Sequence, residues 1–248
     1  MGAHIQTGSG VWHFRIERPS RRNAIDSKTA VEIAAALREA DEDPRCAVAL
    51  LYGEADWFCA GSDLKELAGQ TGARMAQIEH AKAALARTIY EIDLPVIAAV
   101  RGFALGGGVS LAAACDHVVS EISAKWHMPE VLNGWIPPWG IQPVIDRCGA
   151  VRARNVLLGA SAMTAPQARS IGLVDTVCED GEAITSAEAL AEAWASLPPP
   201  ARRSIKRFLR EHHLSTPADA DAAASELFVT HCATSAAQAT LSRFGVKA

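Results

Sequence analysis

What this chain lacks narrows its chemistry before any motif is read. Its six cysteines, Cys46, Cys59, Cys115, Cys148, Cys178 and Cys232, never form a C-x-x-C pair. That argues against a zinc ribbon or dithiol redox motif and predicts reduced, mostly buried thiols in a cytoplasmic protein. The eight histidines contain no H-x-x-x-H pair, so no metal site is expected. No apolar run reaches membrane-spanning length. The opening MGAHIQTGSG lacks the charged-then-apolar order of a secretion signal, and Gln6 stands where a myristoylation motif requires Ser or Thr. A net charge of −4 gives no reason to expect nucleic acid or an anionic membrane as partner. Basic residues cluster once, in ARRSIKRFLR from Ala201 to Arg210, too little to argue for RNA.

What is present is a chain of 248 residues, 49% apolar, able to bury a substantial core. Val11–Arg18 alternates apolar and polar residues, the pattern of a half-buried strand. Cys46–Gly53 and Pro95–Gly102 are short continuous apolar runs, the pattern of strands buried on both faces. DHVVSE and Leu173–Glu179 read as two more. Helical periodicity lies between them: one helix follows a cap at Asp26 or Ser27, others cover about Ala73–Tyr90 and Gly107–Ala114, and several lie beyond Ala150. This alternation predicts an α/β fold. SLPPP at Ser196–Pro200 breaks the pattern, dividing an α/β core (residues 1–197) from a helical C-terminal segment of the same unit (198–248).

Two strand-to-helix junctions stand out. GFALGGGVSLAAACD, Gly102–Asp116, opens a helix on a glycine triplet. It matches neither G-x-G-x-x-G nor a P-loop, and Ser110 is not in a G-x-S-x-G elbow. Close packing of a small-residue helix would account for the glycines equally well. The second junction, EADWFCAGSDLKEL, passes through Cys-Ala-Gly-Ser into a helix. Two such junctions can aim two backbone N–H groups at one developing oxyanion, each contributing about 3–4 kcal/mol.

RPSRRNAI, DWFCAGSDLKEL, LPVIAAVRGFALGGGVSLAAACDHVV, MPEVLNGWIPP and SAMTAPQARSIGLVDTV occur in this order. Together they resemble the crotonase, or enoyl-CoA hydratase/isomerase, superfamily, from about Val11 to Val177 and more weakly beyond. The resemblance implies a spiral of β-β-α units with a helical C-terminal region, assembled as trimers or hexamers. It implies an acyl-CoA thioester substrate stabilised as its enolate, with coenzyme A part of the substrate and no separate cofactor. Carried over by position, the oxyanion donors are the N–H groups of Ser62 and Gly107. Arg21, Arg22, Ala60 and Lys65 become candidate contacts to CoA; for the three basic residues a solvated turn or helix face is the plain alternative.

Hydratases of this family carry two glutamates. Here the first position, two residues after the triplet, is Ser110, and the second is Glu130 in HMPEVLNGW. Trp135 and Trp139 can supply a dry pocket that makes Glu130 a better base; capping or pairing with Arg is its structural alternative. A single carboxylate slightly favours moving a double bond over adding water. Ser110, Glu130 and the following IPP also resemble hydroxycinnamoyl-CoA hydratase-lyases. Those are associated with a C-terminal-region tyrosine, whereas the only tyrosines here are Tyr52 and Tyr90. A catalytically weak acyl-CoA-binding or structural subunit is the alternative of another class. His127 could line the pocket or orient Glu130, or simply pack. Asp116 reads as a helix end, Ser110 as a hydrogen-bond partner of backbone or water, and Lys206 as a CoA-phosphate contact or part of a solvated face.

Overall fold

The computed structural model describes residues 3–8, 10–212 and 217–244. In chain order the elements are β1 (Ala3–Gly8), β2 (Val11–Ile16), α1 (Ser27–Glu42), β3 (Val48–Gly53), α2 (Leu64–Leu67), α3 (Gly72–Glu91), β4 (Val96–Val100), β5 (Phe103–Leu105) and α4 (Gly107–Ala114). Then follow β6 (His117–Glu121), β7 (Lys125–His127), α5 (Ile141–Leu158), β8 (Met163–Thr164), α6 (Ala165–Ser170), β9 (Thr176–Cys178), α7 (Ala183–Ala195), α8 (Pro199–His212), α9 (Pro217–Cys232) and α10 (Ser235–Ser242). Six strands form one sheet in the order β1-β2-β3-β4-β6-β9, parallel except for the β1–β2 hairpin. A three-stranded sheet, β5-β7-β8, stands apart from it.

The chain winds between these sheets in a spiral. β4 joins the large sheet, β5 the small one, and α4 follows; β6 and β7 then repeat the step before α5. The bridge between Cys59 and Ala104 carries the small sheet's pairing into the preceding turn. This is the β-β-α spiral with a helical C-terminal region that the motifs imply.

Strand periodicity explains why the central runs are continuously apolar. Side chains alternate faces, so Ala49 and Leu51 of β3 enter the main core with Ile33 and Leu37 of α1. Val48 and Leu50 face the other way, against Ala183, Ala187 and Ala191 of α7. Both faces are covered, and both must be apolar. Asp26 caps α1, accepting a hydrogen bond from the Thr29 N–H at 2.8 Å.

Three details depart from the sequence expectation. The strand expected over Leu173–Glu179 shrinks to Thr176–Cys178. Leu173 and Val174 pack into the main core ahead of it, and the Asp175 carboxylate accepts from the Val118 N–H. The small sheet has strands of only two or three residues, too short for any periodicity to register. ARRSIKRFLR is partly exposed, but its basic side chains are engaged within the fold. Lys206 is buried, its Nζ donating to the carbonyls of Ile89 and Leu94 at 2.9 Å and to Asp116 at 2.6 Å. Arg203 pairs with Asp41, and Arg207 and Arg210 with Asp93. The run clamps α8 onto the ends of α1 and α3. Asp116 is the structural anchor expected, also accepting from the Val96 N–H at 2.7 Å.

Candidate active site

The glycine triplet opens α4 where three neighbours press on it, each from a different side. A Cβ on Gly106 would lie 2.5 Å from Glu130 Oε1, one on Gly107 2.6 Å from the Trp139 indole, and one on Gly108 2.4 Å from the Cys59 carbonyl oxygen. All three separations are closer than a carbon atom tolerates. Gly106 also has φ +52°, a left-handed conformation natural to glycine. The triplet is therefore an assembly point for three segments distant in sequence.

The DWFCAGSDLKEL junction lies against it. Gly61, at φ +85°, stands so close that a Cβ there would approach the Gly107 nitrogen to 3.1 Å. The Ala60 N–H donates to the Arg22 carbonyl at 3.2 Å, seating the RPSRRNAI turn beside the same loop. Among the described residues the Ser62 N–H has no hydrogen-bond partner. Gly107 is the first residue of α4, where a helix leaves its N–H groups without intrahelical acceptors and concentrates positive partial charge.

Ala60, Ser62, Gly107, Glu130 and Trp135 line one small pocket of about 70 Å³. Glu130 is 8% exposed, and its Oε2 is buried without a hydrogen-bond partner. Burial, aided by the negative charge of Glu79, pushes the Glu130 carboxyl up to about 7. Among the described residues no arginine pairs with it. The carbonyl of Glu130 accepts from the N–H groups of Asn133 and Trp135, which folds the following turn and brings the Trp135 ring to the pocket wall.

Other expected residues sit outside that lining. Trp139 packs over Gly107 from behind. Ser110 is fully buried, its Oγ 3.4 Å from the Trp139 carbonyl and its Cβ beneath Gly140, so it holds backbone and lies sealed from the pocket. His127 bonds the Gly159 carbonyl through Nε2 at 2.8 Å, and its own carbonyl accepts from the Gly106 N–H. Arg21, Arg22 and Lys65 are exposed, and their side chains make no ion pair among the described residues.

Two pocket residues escaped the sequence reading. Phe228 of α9 lines the pocket and meets Trp135 edge-to-face at 6.2 Å. Glu79 of α3 is 1% exposed. Its Oε2 accepts from Ser62 Oγ at 2.8 Å and Trp139 Nε1 at 2.6 Å, and its Oε1 from Lys82 Nζ at 2.8 Å. A signal for Glu79 existed: with Lys82 it occupies positions on the stripe of α3 otherwise filled by Met75, Ile78, Ala83 and Ala86. Charges at core positions of an amphipathic helix need partners inside.

The arrangement joins a buried carboxylate of raised pKa to two free backbone donors in a small pocket, which suits proton transfer beside a carbonyl group. The sequence model described as enoyl-CoA hydratase/isomerase matches residues 6–247. The chain is 33% identical over 197 residues to the 2,3-dehydroadipyl-CoA hydratase of Escherichia coli, covering 79% of this chain and 76% of that one. It is 30% identical over 208 residues to the enoyl-CoA isomerase/hydratase fer4 of Mycosarcoma maydis, covering 80% and 76%. The solved structure of a carnitinyl-CoA dehydratase from Mycobacterium avium superposes with a TM-score of 0.84 at 30% identity, over 96% of this chain and 94% of that one. Motif order, spiral fold and near full-length similarity agree, and the chain belongs to the enoyl-CoA hydratase/isomerase family of acyl-CoA enzymes.

Proposed function

We propose that this enzyme moves the double bond of an enoyl-CoA thioester through an enolate, with Glu130 as the single acid/base. The N–H groups of Ser62 and Gly107 donate to the thioester oxygen as negative charge develops there. Glu130 takes a proton from C2 of a 3-enoyl thioester, giving the dienolate, and returns it at C4, giving the 2-enoyl product. The observation that carries this reading is the buried, unpartnered Oε2 of Glu130 in a pocket shared with both donors. A base returning the proton it removed works best with a pKa near the operating pH, and Glu130 stands at about 7. Ser110, where a second acid would stand, is buried beneath Trp139 and Gly140 and supplies none.

Arg21, Arg22 and Lys65 are proposed to meet the CoA phosphates, with Ala60 beside the thioester arm; their unpaired exposure around one loop supports this. The substrate carries the coenzyme, and no other cofactor is invoked. Hydration is the second reading, favoured by relatives named hydratase and dehydratase. A homotrimer or hexamer in the cytoplasm completes the proposal. Ile205 and Leu209 of α8, exposed by 63% and 44%, supply apolar surface for such an assembly, and every described cysteine is a free thiol. Sedimentation should then give a multiple of 26.3 kDa.

The test is to incubate the enzyme with 3-enoyl- and 2-enoyl-CoA thioesters of several chain lengths and analyse the products. Isomerisation predicts interconversion of the two without 3-hydroxyacyl-CoA, and its loss in Glu130→Gln by about 10²–10⁴-fold. Accumulation of 3-hydroxyacyl-CoA would establish hydration instead. Wild-type inactivity on every thioester would leave a binding subunit.

A further inference from the structure

We propose that Glu79 is the positioning residue of the oxyanion hole, one carboxylate oxygen holding both of its walls in register. The inference rests on the reading of Ser62 and Gly107 as the donors. Oε2 of Glu79 accepts from Ser62 Oγ on one side and from Trp139 Nε1 on the other. Ser62 carries the first donor on its own backbone. The Trp139 indole packs directly on Gly107, the second. A single atom thus ties the first donor's residue to the ring that backs the second.

Glu79 is well placed to be stiff. It projects from the middle of the 20-residue helix α3, and the fully buried Lys82 lies one helical turn on, with Nζ at 2.8 Å from Oε1 and 3.2 Å from Glu66. Glu66 in turn accepts from the Ser27 N–H at 3.1 Å, at the start of α1. The carboxylate has a counter-charge and three donors, so its geometry is fixed by charge-assisted hydrogen bonds, the strongest kind available to a side chain. Side-chain type matters here even though the donors are backbone groups. Ser62 would donate its N–H as any residue could, but only a hydroxyl reaches Glu79.

The role differs from that of Glu130. Glu79 transfers no proton; it fixes where the two N–H groups stand, and a donor displaced by a fraction of an ångström loses much of its preference for the enolate. Loosening the hole should therefore lower kcat and leave KM nearly in place.

The experiment uses the full-length enzyme with two readouts. One is steady-state turnover of the enoyl-CoA that the wild type accepts. The other is the infrared carbonyl band of bound butyryl-CoA, a thioester with no double bond to react, which falls in frequency as the hole polarises it. Glu79→Gln and Ser62→Ala should each lower kcat on the order of 10- to 100-fold, less than the 10²–10³ of a deleted donor, with KM within about 3-fold. Both should lose most of the band shift. The double variant should be no worse than Glu79→Gln alone, because both changes cut one tether. Losses that multiply, a rise in KM alone, or a full band shift in either single variant would overturn the proposal. If Glu79→Gln fails to fold, Ser62→Ala decides: it retains the N–H and loses only the tether, and wild-type kcat there refutes the idea. Absence of any band shift in the wild type would instead refute the oxyanion reading beneath it.

Discussion

Burial raises the Glu130 carboxyl to about 7, and that displacement acts on rate and on stability together. As the proposed base the residue must be ionised, so kcat/KM should rise with pH along a limb centred near 7, measurable from initial rates between pH 5 and 9. For stability the sign is opposite. Between the ordinary carboxyl value of 4.5 and the raised one, the folded protein keeps a proton that the unfolded chain has released. Folding stability is thus complete below the lower value and falls as pH climbs through the upper one, by about 3 kcal/mol in total. Glu130→Gln removes this loss. Urea denaturation should find this variant more stable than wild type at pH 8, by up to about 3 kcal/mol, with the difference shrinking toward pH 5. A variant equally or less stable at both pH values would show that Glu130 is not held protonated by burial.

Among the elements, α4 reverses an ordinary expectation. Glycine inside a helix usually weakens it relative to alanine by about 1 kcal/mol. Gly108 sits with the Cys59 carbonyl where its Cβ would be, so Gly108→Ala should destabilise by about 1–3 kcal/mol. It should also reduce kcat by parting the two loops; calorimetry and turnover check the pair. α8 offers a second contrast. Lys206→Met leaves the Ile89 and Leu94 carbonyls without their donor and breaks the pair with the partly exposed Asp116, and should cost about 1–3 kcal/mol. Arg207→Met, at an exposed pair with Asp93, should cost less than about 1 kcal/mol. Urea midpoints of the two variants measure the difference.

At the scale of the whole molecule, what could be read in advance tracks distance along the chain. β3 and β4 are legible because coverage on both faces leaves a continuous apolar run, and α4 because its glycines and alanines are consecutive. Glu130 is legible through its motif. Lys206 is not: its basic neighbours read as a solvated face, and the acid it meets lies 90 residues away. Phe228 arrives from α9 for the same reason, brought over the pocket by Asp221, which pairs with Arg87 of α3 and accepts from the Gly140 N–H. Glu79 shows as an anomaly in a periodic helix, but Ser62 and Trp139, which give it meaning, stand 17 and 60 residues off. Local pattern reports elements; partnership across the fold reports the site.

The contact between Gly61 and Gly107 carries a consequence for how activity should be lost. The two loops that bear the proposed donors touch through backbone, each anchored to the central sheets by the Cys59–Ala104 bridge and by β4 and β5. Neither loop can swing away while those sheets are intact. The enzyme should therefore have no inactive but folded plateau: along a urea titration, turnover and far-ultraviolet circular dichroism should fall together at one midpoint. Catalysis in this protein would then serve as a gauge of its global cooperativity.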